Sequence, residues 1–297
     1  MRRGSARLSA ARSLGAALDA TLDTLTQDLA VRHAMVLILD TTTQRLYTVA
    51  SRGYETSGVG SEIALGDGVI GVAARECTPV RIMHMTSAYL YSRAMRNSLG
   101  DACPQNTDIP YPGLPEPHSQ LAVPMVAAGR VLGVLFVESP QDLAFDFEDE
   151  DMLVTLAGHL GAAIDLLQAT PESADGATPG ATLAPAVSGA PVRVRHYPAN
   201  DSVFINDDYL IKGVAGAIFW KLLRDYTQAG RTEFTNRELR LDPSIRLPDV
   251  ADNLEARLLL LQRRLQENNP PMRIEKTGRG RFRLCVACPV LLEELPG

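Results

Sequence analysis

The chain has 297 residues, of which 45% are hydrophobic and 22% charged, and a formal net charge of −6. That length suits two domains with a core each, and the composition is globular, not disordered or fibrous. No run approaches the roughly 18 uninterrupted apolar residues of a membrane helix. Nor does the start read as a signal peptide, since an Ala/Ser/Leu helix with Asp19 and Asp23 follows Arg2, Arg3 and Arg7. A cytoplasmic protein without a membrane partner is expected.

In chain order, Leu14, Leu18, Leu22, Leu25 and Leu29 step by four, four, three and four, which predicts an amphipathic helix with one buried stripe. The apolar run Met35 to Leu39 ends in the turn Asp40-Thr41-Thr42-Thr43, and Leu46 to Ser51 completes a β-hairpin. Gly66, Gly68 and Gly71 open a short helix through Arg75, and Pro79 to Ile82 reads as a strand. Ala88 to Leu99 could be a helix, whereas Cys103 to Pro117 holds five prolines and little periodicity. A stretch of that length is expected to be disordered or a functional lid. Two strands follow, Gln120 to Val126 and Val131 to Glu138. Asp146 then caps a helix with Leu153, Leu156, Leu160, Ile164 and Leu167 on one face.

Residues 170 to 190 are rich in Pro, Ala, Gly, Ser and Thr and read as a flexible linker. Beyond it, short strands are expected near Val192 to Arg195 and Val203 to Ile205. Helices are expected near Gly213 to Tyr226, Thr235 to Leu239 and Pro248 to Gln266, and Arg273 to Val286 forms a hairpin turning at Gly278 and Gly280. From residue 191 onward, 17 Lys and Arg face 14 Asp and Glu, a balance of +3, while residues 1 to 190 hold 12 against 21, a balance of −9. An acidic front and a mildly basic back fit a sensor joined to a polyanion binder.

Two motifs with chemical overtones fail on context. Gly66-x-Gly68-x-x-Gly71 matches a dinucleotide fingerprint, but no long buried strand precedes it and residues 87 to 95 hold no acid for a ribose. The four cysteines make one CxxC, at Cys285 and Cys288, with Cys77 and Cys103 far away, so no metal site is expected.

Taken together, Gly66 to Gly71, Ser119 to Pro124, Gly129-Arg130-Val131-Leu132-Gly133-Val134-Leu135 and Phe147-Glu148-Asp149-Glu150-Asp151 resemble a GAF sensor domain over residues 10 to 168. The resemblance implies an antiparallel sheet with flanking helices, a long lid at 83 to 118, and a small molecule between the two. Tyr89, Tyr91, Cys103, Tyr111, His118 and Gln120 are the candidate ligand-binding residues, an apolar wall with a few orienting groups. The Asn-Lys, Phe and Asp-Glu pattern of cyclic-nucleotide GAF domains and the Cys-His pair of bilin-attaching ones are absent, so the ligand is left unknown. Some GAF-fold proteins reduce free methionine sulfoxide with lid cysteines. Cys103 sits in such a lid, but Ile70 stands where that family has its turn cysteine, and a non-enzymatic protein is expected.

From about Val192 to Val286 the chain resembles an OmpR/PhoB-type winged helix, ending in Gly278-x-Gly280-Arg281-Phe282-x-Leu284. The fold class expected is therefore α+β, a GAF domain at 10–168, a linker at 169–190 and a winged-helix domain at 191–297. The third helix has its core stripe at Val250, Leu254, Leu258, Leu261 and Leu265, and faces outward with Asp252, Asn253, Glu255, Ala256, Arg257, Leu259, Leu260 and Arg264. In this family that helix enters the major groove and the wing the minor groove. The candidate DNA contacts are Asn253, Arg257, Arg264, Lys276, Arg279 and Arg281. The resemblance implies a ligand-responsive transcription regulator whose partners are DNA and a small molecule. Its two leucine-rich GAF helices imply a homodimer. An interaction adaptor, using Leu259 and Leu260 as a protein-binding face in place of DNA binding, stays open beside it.

Overall fold

The computed structural model describes residues 2–85, 109–169, 189–245, 247, 254–268 and 270–295. The proposed helix at 88–99, most of the linker, and Tyr89, Tyr91, Cys103, Asp249, Val250, Asp252 and Asn253 lie outside them. The chain divides into two compact units, Met1–Ala169 and Thr170–Gly297. No described helix is long and apolar enough to cross a membrane.

The first unit begins with helices α1 (Arg2–Ser9) and α2 (Leu14–Asp28), followed by strands β1 (His33–Asp40), β2 (Arg45–Arg52) and β3 (Glu62–Ala64). Helix α3 (Gly68–Glu76) and strand β4 (Val80–Ile82) come next, then β5 (Ser119–Ala127), β6 (Arg130–Ser139) and helix α4 (Phe147–Ala169). The six strands form one antiparallel sheet in the order β3-β2-β1-β6-β5-β4. The β1–β2 hairpin is the one expected. Asp40 holds its turn by accepting the Thr42 and Thr43 amides at 2.9 and 3.3 Å.

Both leucine stripes are buried within the unit: Leu14, Leu18, Leu22 and Leu25 on α2, and Leu153, Leu156, Leu160 and Ile164 on α4. Gly161 lets α4 lie close on the sheet, since a Cβ there would stand 3.1 Å from the Val126 carbonyl oxygen. The start of α4 is fixed by a reciprocal box. Asp146 accepts the amides of Glu148 (2.8 Å) and Asp149 (3.0 Å), and Asp149 accepts the amide of Asp146 (3.0 Å). A second core lies on the sheet's other face, where Ile70, Ala73 and Ala74 of α3 pack on Met35, Leu37, Ala122, Val134 and Phe136.

The second unit opens with β7 (Val192–Tyr197), β8 (Ser202–Ile205) and β9 (Asp208–Ile211), an antiparallel set. Strand β13 (Val290–Glu294) joins β7 in parallel, giving the order β13-β7-β8-β9. Helix α5 (Gly213–Ala229) packs on this sheet so tightly that a Cβ at Gly216 would meet the Asp201 carbonyl oxygen at 1.9 Å. Strand β10 (Glu233–Thr235), helices α6 (Asn236–Leu241) and α7 (Leu254–Asn268), and the hairpin β11 (Met272–Gly278) and β12 (Arg281–Val286) complete the unit. The hairpin is sealed to the helices through β10, which pairs with β12 and brings the Phe234 and Phe282 rings into a stack 5.9 Å apart.

Candidate functional site

In the first unit a cavity of about 190 Å³ lies between the sheet and α3. Ile63, Val69, Ile70, Tyr111 and Phe136 make its apolar wall, and Asp67, Gly68 and Gln120 add polar atoms. The glycine motif builds one side. A Cβ at Gly71 would lie 2.4 Å from the Ala64 carbonyl oxygen, and Gly66, at φ +90°, would drive one into the Arg75 guanidinium. These glycines therefore serve a tight turn into α3. The first amides of that helix, at Gly68, Val69 and Ile70, begin a helix and have no acceptor within it.

Of the expected ligand residues, Tyr111 and Gln120 are brought together on the cavity, with the Tyr111 ring edge-on to Phe136 at 6.5 Å. His118 is not among its lining residues. Its Nδ1 lies 3.1 Å from Asp142 Oδ1, an atom that His84 Nδ1 approaches at 2.7 Å. An ionised carboxylate only accepts, so both imidazoles donate. Partial desolvation pulls the Asp142 carboxyl upward, but the hydrogen bonds from His84 and then His118 outweigh it and hold its pKa below the ordinary carboxylate range.

The residue that sequence reasoning missed is Glu138. It is 1% exposed, and its carboxylate accepts Gln120 Nε2 at 3.0 Å and the Leu114 amide at 2.7 Å. Beside it the Tyr54 hydroxyl is buried without a hydrogen-bond partner of ordinary geometry. Burial first, then the charge of Glu138, raises the Tyr54 pKa well above that of a free phenol. The signal in the sequence was a glutamate at the end of an otherwise apolar strand. Cys77 is exposed at the end of α3 and does not line the cavity.

In the second unit the expected DNA contacts separate. Arg257 is 8% exposed, and Ala256 and Leu260, read as outward-facing, are buried at 1% and 3%. Helix α7 touches α5, α6, β9 and β11, so packing claims more than one of its sides. Arg264 donates from Nε to the Leu210 carbonyl at 3.0 Å and pairs with Glu267 at 3.2 Å, both inside the unit. Lys276 pairs with Glu255 at 3.2 Å. Arg281 is half-buried opposite Thr235, and Arg279 is exposed at the hairpin turn. Burial raises the pKa of both Cys285 and Cys288, which disfavours their thiolates. Among the described residues no three His, Cys, Asp or Glu are placed to hold a metal ion.

The GAF domain family model matches residues 11–165, and the chain belongs to that family. Similar solved structures include the GAF domain of the phosphoenolpyruvate-protein phosphotransferase from Acinetobacter. It is 25% identical, covering 58% of this chain and 93% of that one at a TM-score of 0.46. The corresponding domain from Coxiella burnetii is 24% identical, covering 57% and 92% at 0.44. The free methionine-R-sulfoxide reductase from Neisseria meningitidis, in complex with its substrate, is 21% identical, covering 56% and 87% at 0.44. No curated protein matches the chain.

Proposed function

We propose that the chain is a ligand-responsive transcription regulator, in which the GAF unit binds a small, largely apolar molecule and the second unit binds duplex DNA as a winged helix. The observation that carries the first half is the cavity over Phe136, with Gln120 as its orienting amide backed by Glu138. The second half is supported by the order α5, β10, α6, α7 and hairpin, with β10 paired to β12, and by the exposed arginine at the hairpin turn. The adaptor reading relied on an exposed Leu259–Leu260 face, and it loses that footing because Leu260 is core.

The regulator is read as non-enzymatic, because Ile70 occupies the cavity wall where a reactive thiol would be needed. Purified protein should not turn over free methionine sulfoxide with a thiol reductant. Turnover that disappears in Cys103→Ser would reverse this. The homodimer forms through other residues, since the leucine stripes are buried inside the unit. The exposed Val154 (42%) and Leu166 (68%) on α4 are its natural contacts. The function is tested by titrating the full chain with mixed-sequence duplex at several salt concentrations. Salt-dependent binding is expected, and its absence at every salt concentration would return the adaptor reading.

A further inference from the structure

We propose that Arg237 and Arg279 form a two-arginine clamp on the phosphate backbone of duplex DNA, built across the hydrogen bond that ties α6 to the hairpin turn. The inference rests on the DNA-binding reading above and names the residues that hold the backbone.

The Asn236 amide donates to the Gly280 carbonyl at 2.8 Å. Arg237 is the next residue along α6 and Arg279 the one before Gly280, so the two arginines flank a single backbone contact. Both are exposed, and neither side chain has a hydrogen bond or ion pair among the described residues. The cations around them are already committed: Lys276 to Glu255, Arg283 to Glu233, Arg231 to Glu238 and Asp225, and Lys221 to Asp225 and Asp242. The same pairs neutralise those carboxylates, which would otherwise repel a phosphate. Among the described residues, what remains uncompensated at this corner is these two guanidinium groups.

The backbone that carries them is held from three sides. Asn236 is 1% exposed, and its Nδ2 donates to Glu255 Oε1 at 2.7 Å, while the other oxygen of Glu255 accepts Lys276. Thr235 caps α6 by accepting the Glu238 amide at 3.2 Å. Beneath lies the Phe234–Phe282 stack. A rigid base with free side chains lowers the ordering cost of binding. Each guanidinium offers a planar fork that matches phosphate oxygens, where a lysine would present only a point charge. Neither arginine needs to read a base.

The test is fluorescence anisotropy of the full chain on mixed-sequence duplex across a salt series. It compares wild type, Arg237→Ala, Arg279→Ala, the double variant, and Arg224→Ala as an exposed, unpartnered cation on α5. Each clamp substitution should lower the log–log salt slope by about 0.9, and the double by about 1.8, with the affinity loss uniform across sequences. Arg224→Ala should leave the slope unchanged. Should an alanine variant lose its thermal transition, Arg237→Gln and Arg279→Gln keep most of the aliphatic stem and carry the same expectation. A double variant with the wild-type slope overturns the clamp and leaves the DNA reading standing. Wild-type protein that binds no duplex at any salt overturns the DNA reading itself.

Discussion

The two faces of the six-stranded sheet serve different ends. On the face that α4 covers, Leu121, Val123, Leu135 and Val137 are all at most 1% exposed, while α2 lies against β1 and β2. Toward α3, Ala122, Val134 and Phe136 are equally buried, yet the same strands also turn Gln120 and Glu138 to that side. Burying an amide and a carboxylate costs several kcal/mol before their hydrogen bonds repay it. A chain that only needed a stable fold would place leucines there. The departure from an apolar core falls at the cavity, where function is expected to override local rules.

Substitutions on the two faces should therefore fail differently. Leu160→Ala, on the α4 face, should cost about 2–5 kcal/mol in denaturant unfolding while leaving the cavity residues in place. A loss below about 1 kcal/mol would mean that this face relaxes around the gap and is not the main source of stability.

Glu138→Ala strands both the Gln120 amide and the Leu114 N–H, at about 1–3 kcal/mol, whereas Glu138→Gln keeps an acceptor and should cost less. If a small-molecule thermal-shift screen finds ligands for the wild type, Glu138→Ala should lose them and Leu160→Ala should keep them at lower temperature. Ligand binding unaffected by Glu138→Ala would break the division between the faces.

The smallest effect expected is in the second unit. Burial pulls the Asp242 carboxyl upward, but hydrogen bonds from Lys221 and Ser244 hold its pKa at about 2. A carboxylate whose folded pKa is depressed contributes stability above its unfolded value of about 3.9. That contribution is lost as pH falls through about 2. Because the pair is partly solvated, about 1 kcal/mol is expected, less than the full shift implies. Asp242→Asn should flatten the acid limb of stability between about pH 4 and 2. An unchanged limb would show that the pairing with Lys221 contributes nothing measurable.

What could be read from the sequence follows from how local each cause is. The α2 and α4 stripes, the Asp146 cap and the Gly66–Gly71 turn depend on residues within a few positions, and all are found where expected. Strands β3, β9, β10 and β13 were not foreseen, being three to five residues long and dependent on distant partners. The outward face of α7 was misread because a single-stripe helix was assumed, whereas packing from several elements buries Ala256, Arg257 and Leu260. Glu138 was passed over since its partners, Gln120 and Leu114, lie 18 and 24 residues away. His118 adjoins β5 yet its ring meets Asp142 and not the cavity, because a backbone position does not fix where a side chain points.

The parallel pairing of β13 with β7 has a consequence in time. Val192 is made long before its partner Val290, with every helix of the second unit and the hairpin between them. At about 5–20 residues per second of synthesis, that interval is on the order of 5–20 s, during which one edge of β7 has no partner. An open strand edge is a template for pairing with another chain, and charge is a common guard. Arg193 and Arg195 stand on that strand, and Arg193 meets Glu293 at 3.3 Å only when β13 arrives. The first unit meets the same wait earlier, since β1 pairs with β6 through His33 and Glu138, but its described strands are all made by Ser139. A nascent chain would thus carry a finished sensor while its second unit still waits for the strand that closes it.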